Sequence, residues 1–213
     1  GDSGACGVAM SRPVEIPKPS QRFTCVAFDG LGALPDARIL PEETAVALVY
    51  DGSTEAVMMA TPADLEDFAF GFSITEGLIE NRGQITELAV VHGSDGIELR
   101  MWLSSERKAR YQSRRRRLAG PTGCGLCGIE SLAEAVKPAA RVRDYRSFDA
   151  RCIPEAIAAL ASAQWLNHDT RATHAAGLYR PGGGLVAIRE DVGRHNALDK
   201  LAGALCRKAA DVS

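Results

Sequence analysis

The 213-residue chain contains no apolar run long enough to cross a bilayer and no secretory hydrophobic segment. Its six cysteines, at 6, 25, 124, 127, 152 and 206, are too sparse for a secreted disulfide scaffold. Net charge is only −2, so the whole molecule has no general pull toward nucleic acid or a membrane surface. There is no second Cys-x-x-Cys and no His-x-x-x-His, so the usual spacing of a structural zinc site is incomplete. Internal repeats are absent. These absences point to the cytoplasm or a similarly reducing compartment. What remains, 46% hydrophobic and 24% charged residues, is enough for a real core in one large or two small domains.

The most informative stretch is Thr122-Gly123-Cys124-Gly125-Leu126-Cys127-Gly128. Two thiols stand three residues apart, with glycine before, between and after them. Glycine lets the backbone turn and approach a ligand closely. Ile129 to Val136 reads as a helix, which places Cys124 and Cys127 at or just before its N-terminus. Free amides and the helix dipole favour a thiolate there, and so predict a depressed thiol pKa. Just upstream, Arg100 to Arg117 holds eight basic residues against one acid, Glu106. This run is either an anion-binding segment or a solvated loop. For the paired thiols, four readings stand: half of a zinc site completed in space by His174 or His195, a redox dithiol, a turn with spectator thiols, and a carrier of persulfide sulfur.

In chain order, residues 1–20 read as a tail, 21–112 as an N-terminal α+β domain and 113–213 as a second domain carrying the paired thiols. Residues 23–28 suggest a strand, followed by a loop through Gly30, Gly32 and Pro35. Asp51-Gly52 predicts a hairpin between Thr44–Tyr50 and Thr54–Met59, and Gly93 to Gly96 a second one. Thr61-Pro62-Ala63-Asp64 suits a helix start capped by Thr61. Leu65, Phe68, Ala69 and Phe72 form its apolar face, and Gly77 its end. Nothing in this first part demands chemistry. Later, a helix from Pro154 should turn Ile157, Leu160 and Ala161 inward. A strand pair follows, around Thr173–Tyr179 and Leu185–Arg189. A last helix, Ala197–Lys208, should bury Leu198, Leu201 and Leu205. Cys25 and Cys206 read as packed residues.

A second constellation is Glu190-Asp191-Val192-Gly193-Arg194-His195-Asn196, at the exit of a strand and the entrance of a helix, where α/β folds bind ligands. Arg194 suits phosphate and His195 proton transfer. Helix capping by Asp191 or Asn196, with Arg194 paired to Glu190, accounts for one or two of these residues. The pair Thr173-His174 is a weaker signal.

Taken together, Pro-Thr-Gly-Cys-Gly-Leu-Cys-Gly, Thr-His-Ala-Ala and Glu-Asp-Val-Gly-Arg-His-Asn-Ala-Leu-Asp-Lys resemble the formate dehydrogenase accessory sulfurtransferase family, FdhD. Asp64 to Phe72 and Thr75 to Ile79 resemble that family's N-terminal helix. The likeness runs in order over roughly residues 40 to 208. It departs at Thr170-Arg171-Ala172, where the family shows glycines. The family also continues with further strands and helices beyond the last helix, so the resemblance implies either a shortened member or a partial sequence.

The resemblance implies an α/β (α+β overall) fold: a cytidine-deaminase-like three-layer C-terminal domain beside a smaller N-terminal α+β domain, in a cytoplasmic homodimer. It implies a sulfurtransferase with a persulfide intermediate. Sulfur would come from a cysteine desulfurase and go to the molybdenum (or tungsten) bis-guanine-dinucleotide cofactor that formate dehydrogenase needs. That cofactor would be a bound substrate, with a GDP-like nucleotide able to occupy its place; no resident cofactor, metal, nucleic acid or membrane is expected. Cys124 matches the persulfide-bearing residue and Cys127 its partner. Thr173, His174, Asp191, Gly193, Arg194, His195 and Asn196 would bind the cofactor. Zinc deamination is not expected, since His174 is followed by Ala175 and Ala176 and the Cys-x-x-Cys precedes the histidine. The alternatives are a non-catalytic delivery chaperone for cofactor or zinc, and a dithiol oxidoreductase.

Overall fold

The computed structural model describes residues 15–28, 30, 32–118, 141 and 147–208. The expectations for Cys124 and Cys127, for the helix at 129–136 and for the tail thiol Cys6 lie outside the described residues.

Strands β1 (Ser20–Phe28) and β2 (Ala33–Pro41) form an antiparallel two-stranded ribbon. The loop expected through Gly30, Gly32 and Pro35 is thus shorter than expected: Gly30 and Gly32 precede β2, and Pro35 lies within it. Proline is tolerated because a ribbon strand has one edge with no ladder to satisfy. The predicted hairpins are present: β3 (Thr44–Tyr50) with β4 (Ser53–Ala60), and β5 (Ile85–Gly93) with β6 (Gly96–Leu103). Asp51 and Gly52 both take the left-handed conformation that this turn needs. The two hairpins join through a parallel β3–β6 pair, giving the order β4-β3-β6-β5. That pairing sets Leu48 beside Leu99 and Tyr50 beside Met101, all fully or almost fully buried.

Helix α1 (Leu65–Thr75) covers this sheet with Leu65, Phe68, Ala69 and Phe72, as its spacing predicts. Gly77, at φ 71°, ends it. Thr61 does not cap it. The helix opens at Asp64, itself left-handed at φ 52° and without a side-chain cap bond. Thr61 has other partners, described below.

Helix α2 (Ser105–Leu118) takes up most of the basic run, in place of a solvated loop. Arg107 is 5% exposed and pairs with Glu80, and Tyr111 stacks obliquely on Tyr50 at 5.5 Å and donates to Glu55. Charge at most positions hides this i, i+4 buried pair in the sequence.

The remaining elements are α3 (Cys152–Ala163), α4 (Trp165–Thr170), an antiparallel pair β7 (His174–Arg180) and β8 (Gly184–Asp191), and α5 (Arg194–Lys208). Two apolar phases differ from expectation. Ile157 is 63% exposed because α3 meets the sheet through Leu160, which packs over Gly177. Leu198 is 56% exposed because the buried stripe of α5 runs one position earlier, through Ala197, Leu201 and Ala204. Cys206 packs against the core, where burial pushes its thiol up. α5 crosses α1 backbone to backbone at Gly71 and Gly203. Beside that crossing the buried Asp67 carboxylate takes Arg207 at 2.6 Å and Arg189 Nε at 2.8 Å. Among the described residues no helix is long and apolar enough to cross a membrane.

Candidate functional site

The strand-to-helix corner between β8 and α5 gathers most of the polar residues singled out in the sequence. Antiparallel register places His174 opposite Asp191 and Ala175 opposite Glu190, so the Thr173-His174 segment lies against the corner.

Glu190, 6% exposed, is held by partners other than Arg194. Its carboxylate accepts from the Leu166 and Asn167 amides at 2.9 and 2.8 Å, and from the Thr173 hydroxyl at 3.3 Å. It therefore serves as the anion at the start of α4 and holds Thr173 at the entry to β7.

Asp191 is fully buried. Its Oδ1 accepts from the Gly193 amide at 2.8 Å and the Asn196 amide group at 3.0 Å. Its Oδ2 accepts from the Thr61 amide at 3.0 Å and faces the Lys200 ammonium at 2.6 Å. Lys200, also fully buried, donates to the Thr61 carbonyl at 2.8 Å and lies 5.9 Å from the centre of the Phe68 ring. Burial pushes its ammonium pKa down and the Asp191 carboxylate opposes that shift. Asn196, 3% exposed, also donates to the Met59 carbonyl at 2.8 Å. The Thr61 hydroxyl accepts from the Val192 amide at 3.1 Å. Gly193 is required by close approach: a Cβ there would lie 2.9 Å from Asn196 Nδ2.

Arg194 and His195 are the exposed pair, in the first turn of α5. The first helical bond runs from the Ala197 amide to the Gly193 carbonyl at 3.0 Å, so the amides of residues 194–196 lie ahead of it. One turn on, Asp199 accepts from the Thr75 hydroxyl at 2.8 Å. Burial pushes the Asp199 carboxyl up, with Glu76 adding to the rise and His195 opposing it.

The structure thus divides the expected site residues. Arg194, His195 and His174 are open to solvent, while Asp191 and Asn196 are committed to protein partners. Thr61 and Lys200 carry the corner, and sequence reasoning did not mark either as a site residue. Their signal, a lysine one turn after the Asn196 of a strand-exit motif, has no meaning until Thr61 arrives from the other half of the chain. Among the described residues no three His, Cys, Asp or Glu side chains converge on a possible metal.

Comparison with known proteins bears on the same stretch. The FdhD/NarQ family model matches residues 41–213. The chain is 52% identical over 169 residues to a sulfur carrier protein FdhD from Agrobacterium fabrum, covering 79% of this chain and 62% of that protein. It is 49% identical over 172 residues to one from Cupriavidus necator, covering 81% and 60%. A crystal structure of a protein assigned as a formate dehydrogenase accessory protein, from Desulfotalea psychrophila, superposes with a TM-score of 0.67. At 24% identity it covers 90% of this chain and 71% of that one, and establishes likeness of fold. The chain spans about three fifths of the length of these two sulfur carriers. By the match of motifs, sequence and fold, the chain belongs to the FdhD/NarQ family.

Proposed function

We propose that the protein is a sulfur carrier that receives sulfane sulfur from a cysteine desulfurase and passes it to the molybdenum or tungsten bis-guanine-dinucleotide cofactor of formate dehydrogenase. The observation that carries this reading is the glycine-flanked Cys124/Cys127 pair inside a stretch about half identical to proteins named sulfur carriers.

In the first step the Cys124 thiolate attacks the outer sulfur of the desulfurase persulfide. The donor S–S bond breaks, the donor cysteine leaves as a thiolate, and Cys124 holds the persulfide with no net redox change. In the second step the Cys127 thiolate attacks the Cys124 sulfur and expels hydrosulfide toward the metal. The two electrons that reduce the sulfane sulfur come from the two thiols, which end as a disulfide. A thiol reductant then restores them. Arg194 binds the nucleotide phosphates by forked hydrogen bonds, and His195 moves protons beside them. Thr173 and His174 border the same ligand. The C-terminal part is deaminase-like, and the molecule works as a cytoplasmic homodimer.

Mass spectrometry after incubation with a cysteine desulfurase and cysteine tests the reading. A gain of one sulfur, abolished by Cys124→Ala, supports it; no gain on any cysteine overturns it. Stoichiometric zinc with alkylation-resistant thiols would mark a delivery chaperone instead.

A further inference from the structure

The buried network behind Arg194 has a feature that stability alone does not explain. Asp191 has about four lone-pair sites and meets four donors: Lys200, the Thr61 amide, the Gly193 amide and Asn196. Lys200 spends its ammonium on Asp191 and the Thr61 carbonyl and lies over an aromatic ring. Buried ion pairs of this kind are often no more stabilising than apolar residues of the same volume, because desolvation offsets the attraction. What the network does is fix geometry. Thr61 offers its amide, hydroxyl and carbonyl to one corner, and each is taken up by a different group of the β8–α5 segment. The Val192 and Gly193 amides are both held by side chains, so the turn that launches Arg194 and His195 is fixed at consecutive residues.

We infer that Thr61 and Lys200 are positioning residues: through Val192 and Asp191 they set the first turn of α5 so that Arg194 meets the ligand's phosphate groups. This rests on the reading of the corner as a nucleotide-phosphate site. It gives the N-terminal half of the chain a direct part in a site otherwise built from the C-terminal half. It also separates two kinds of residue in one motif, those that touch ligand (Arg194, His195) and those that aim them (Asp191, Asn196, Lys200).

The test is GDP binding by calorimetry on the full 213-residue chain, with thermal unfolding measured in parallel. Thr61→Val removes the acceptor for the Val192 amide and keeps the volume; its GDP Kd should rise about tenfold, the worth of one well-placed hydrogen bond. Thr61→Ser keeps the hydroxyl and should stay within about twofold of the parent. The double variant Lys200→Met/Asp191→Asn leaves no uncompensated buried charge and should also weaken GDP binding at least about tenfold. Ile85→Val, a destabilising change in the β5–β6 hairpin, should lower the unfolding temperature without moving Kd. If Thr61→Val binds GDP as the parent does, or if Thr61→Ser is as poor as Thr61→Val, the inference is overturned while the phosphate-site reading stands. If the parent chain binds no GDP, or Arg194→Ala binds as well as the parent, the phosphate-site reading falls and the inference falls with it.

Discussion

Gly71 and Gly203 meet where α1 crosses α5, and neither has room for a methyl group. A Cβ on Gly71 would lie 1.6 Å from the Asp199 carbonyl oxygen, and one on Gly203 would lie 1.8 Å from that of Asp67. The obstacles are backbone atoms of the facing helix, which cannot swing aside as a side chain could. Gly71→Ala or Gly203→Ala must therefore push the helices apart. Each should cost about 3 kcal/mol, the upper range for overpacking, despite alanine's better helix propensity. Urea unfolding checks this; a loss under about 0.5 kcal/mol would place the crossing elsewhere.

Glu190 ties β8 to two other segments with one carboxylate: the start of α4 through the Leu166 and Asn167 amides, and the entry to β7 through Thr173. Glu190→Ala leaves two amides without their acceptor and should cost about 2 kcal/mol. Glu190→Gln keeps one carbonyl oxygen and should recover about half of that. If the two variants unfold at the same temperature, the carboxylate is not what holds α4.

The hairpins were legible because Asp51-Gly52 and Gly93 to Gly96 carry their own turn chemistry, and α1 because its apolar residues recur at helical spacing. The β2 strand was not, since Pro35, Asp36 and Pro41 are loop residues everywhere except at an edge. Helix α2 was hidden by charge, because the inward positions Arg107 and Tyr111 find their partners only in the tertiary structure. The composition of the corner marked the right place, but not the division of labour within it. Asp191 reads as a ligand contact until a partner 130 residues away, Thr61, is seen bonded to it. Sequence spacing fixes which residues share an element. It does not tell a carboxylate that faces solvent from one that faces a buried lysine.

Asp199 should leave a pH signature. Its carboxyl is pushed up by burial and by Glu76, against the Thr75 hydroxyl bond and His195. In the folded protein it therefore holds its proton to higher pH than in the unfolded chain. The folded state then binds more protons, and stability falls as pH rises from about 4, the unfolded value, through the raised folded value. Asp199→Asn removes that decline. The stability difference between Asp199→Asn and the parent should grow in favour of the variant over this window and then level off. Denaturant titrations at a series of pH values measure it. A difference that is flat with pH, or that grows in favour of the parent, would show that Asp199 is held as an anion by its neighbours.

The proposed function separates loading from delivery, and the two halves should fail independently. Under that proposal, sulfur uptake needs a nucleophilic thiolate at Cys124 and nothing from the α5 corner. Under the same proposal, ligand phosphate binding needs the exposed Arg194 guanidinium and nothing from the thiol. Arg194→Ala should therefore take up one sulfur from a desulfurase to within about twofold of the parent, because an exposed side chain at a helix start rarely carries the fold. Its GDP Kd should rise at least about tenfold, since charge-assisted contacts from arginine to phosphate are among the stronger polar interactions. Cys124→Ala should show the reverse, with GDP bound at parental affinity and no persulfide formed. Lysine at position 194 keeps the charge but loses the planar fork, so Arg194→Lys should fall between alanine and the parent in GDP affinity. Loss of loading in Arg194→Ala would mean that the arginine acts on the sulfur chemistry itself. Undiminished GDP binding in the same variant would move the phosphate site away from α5.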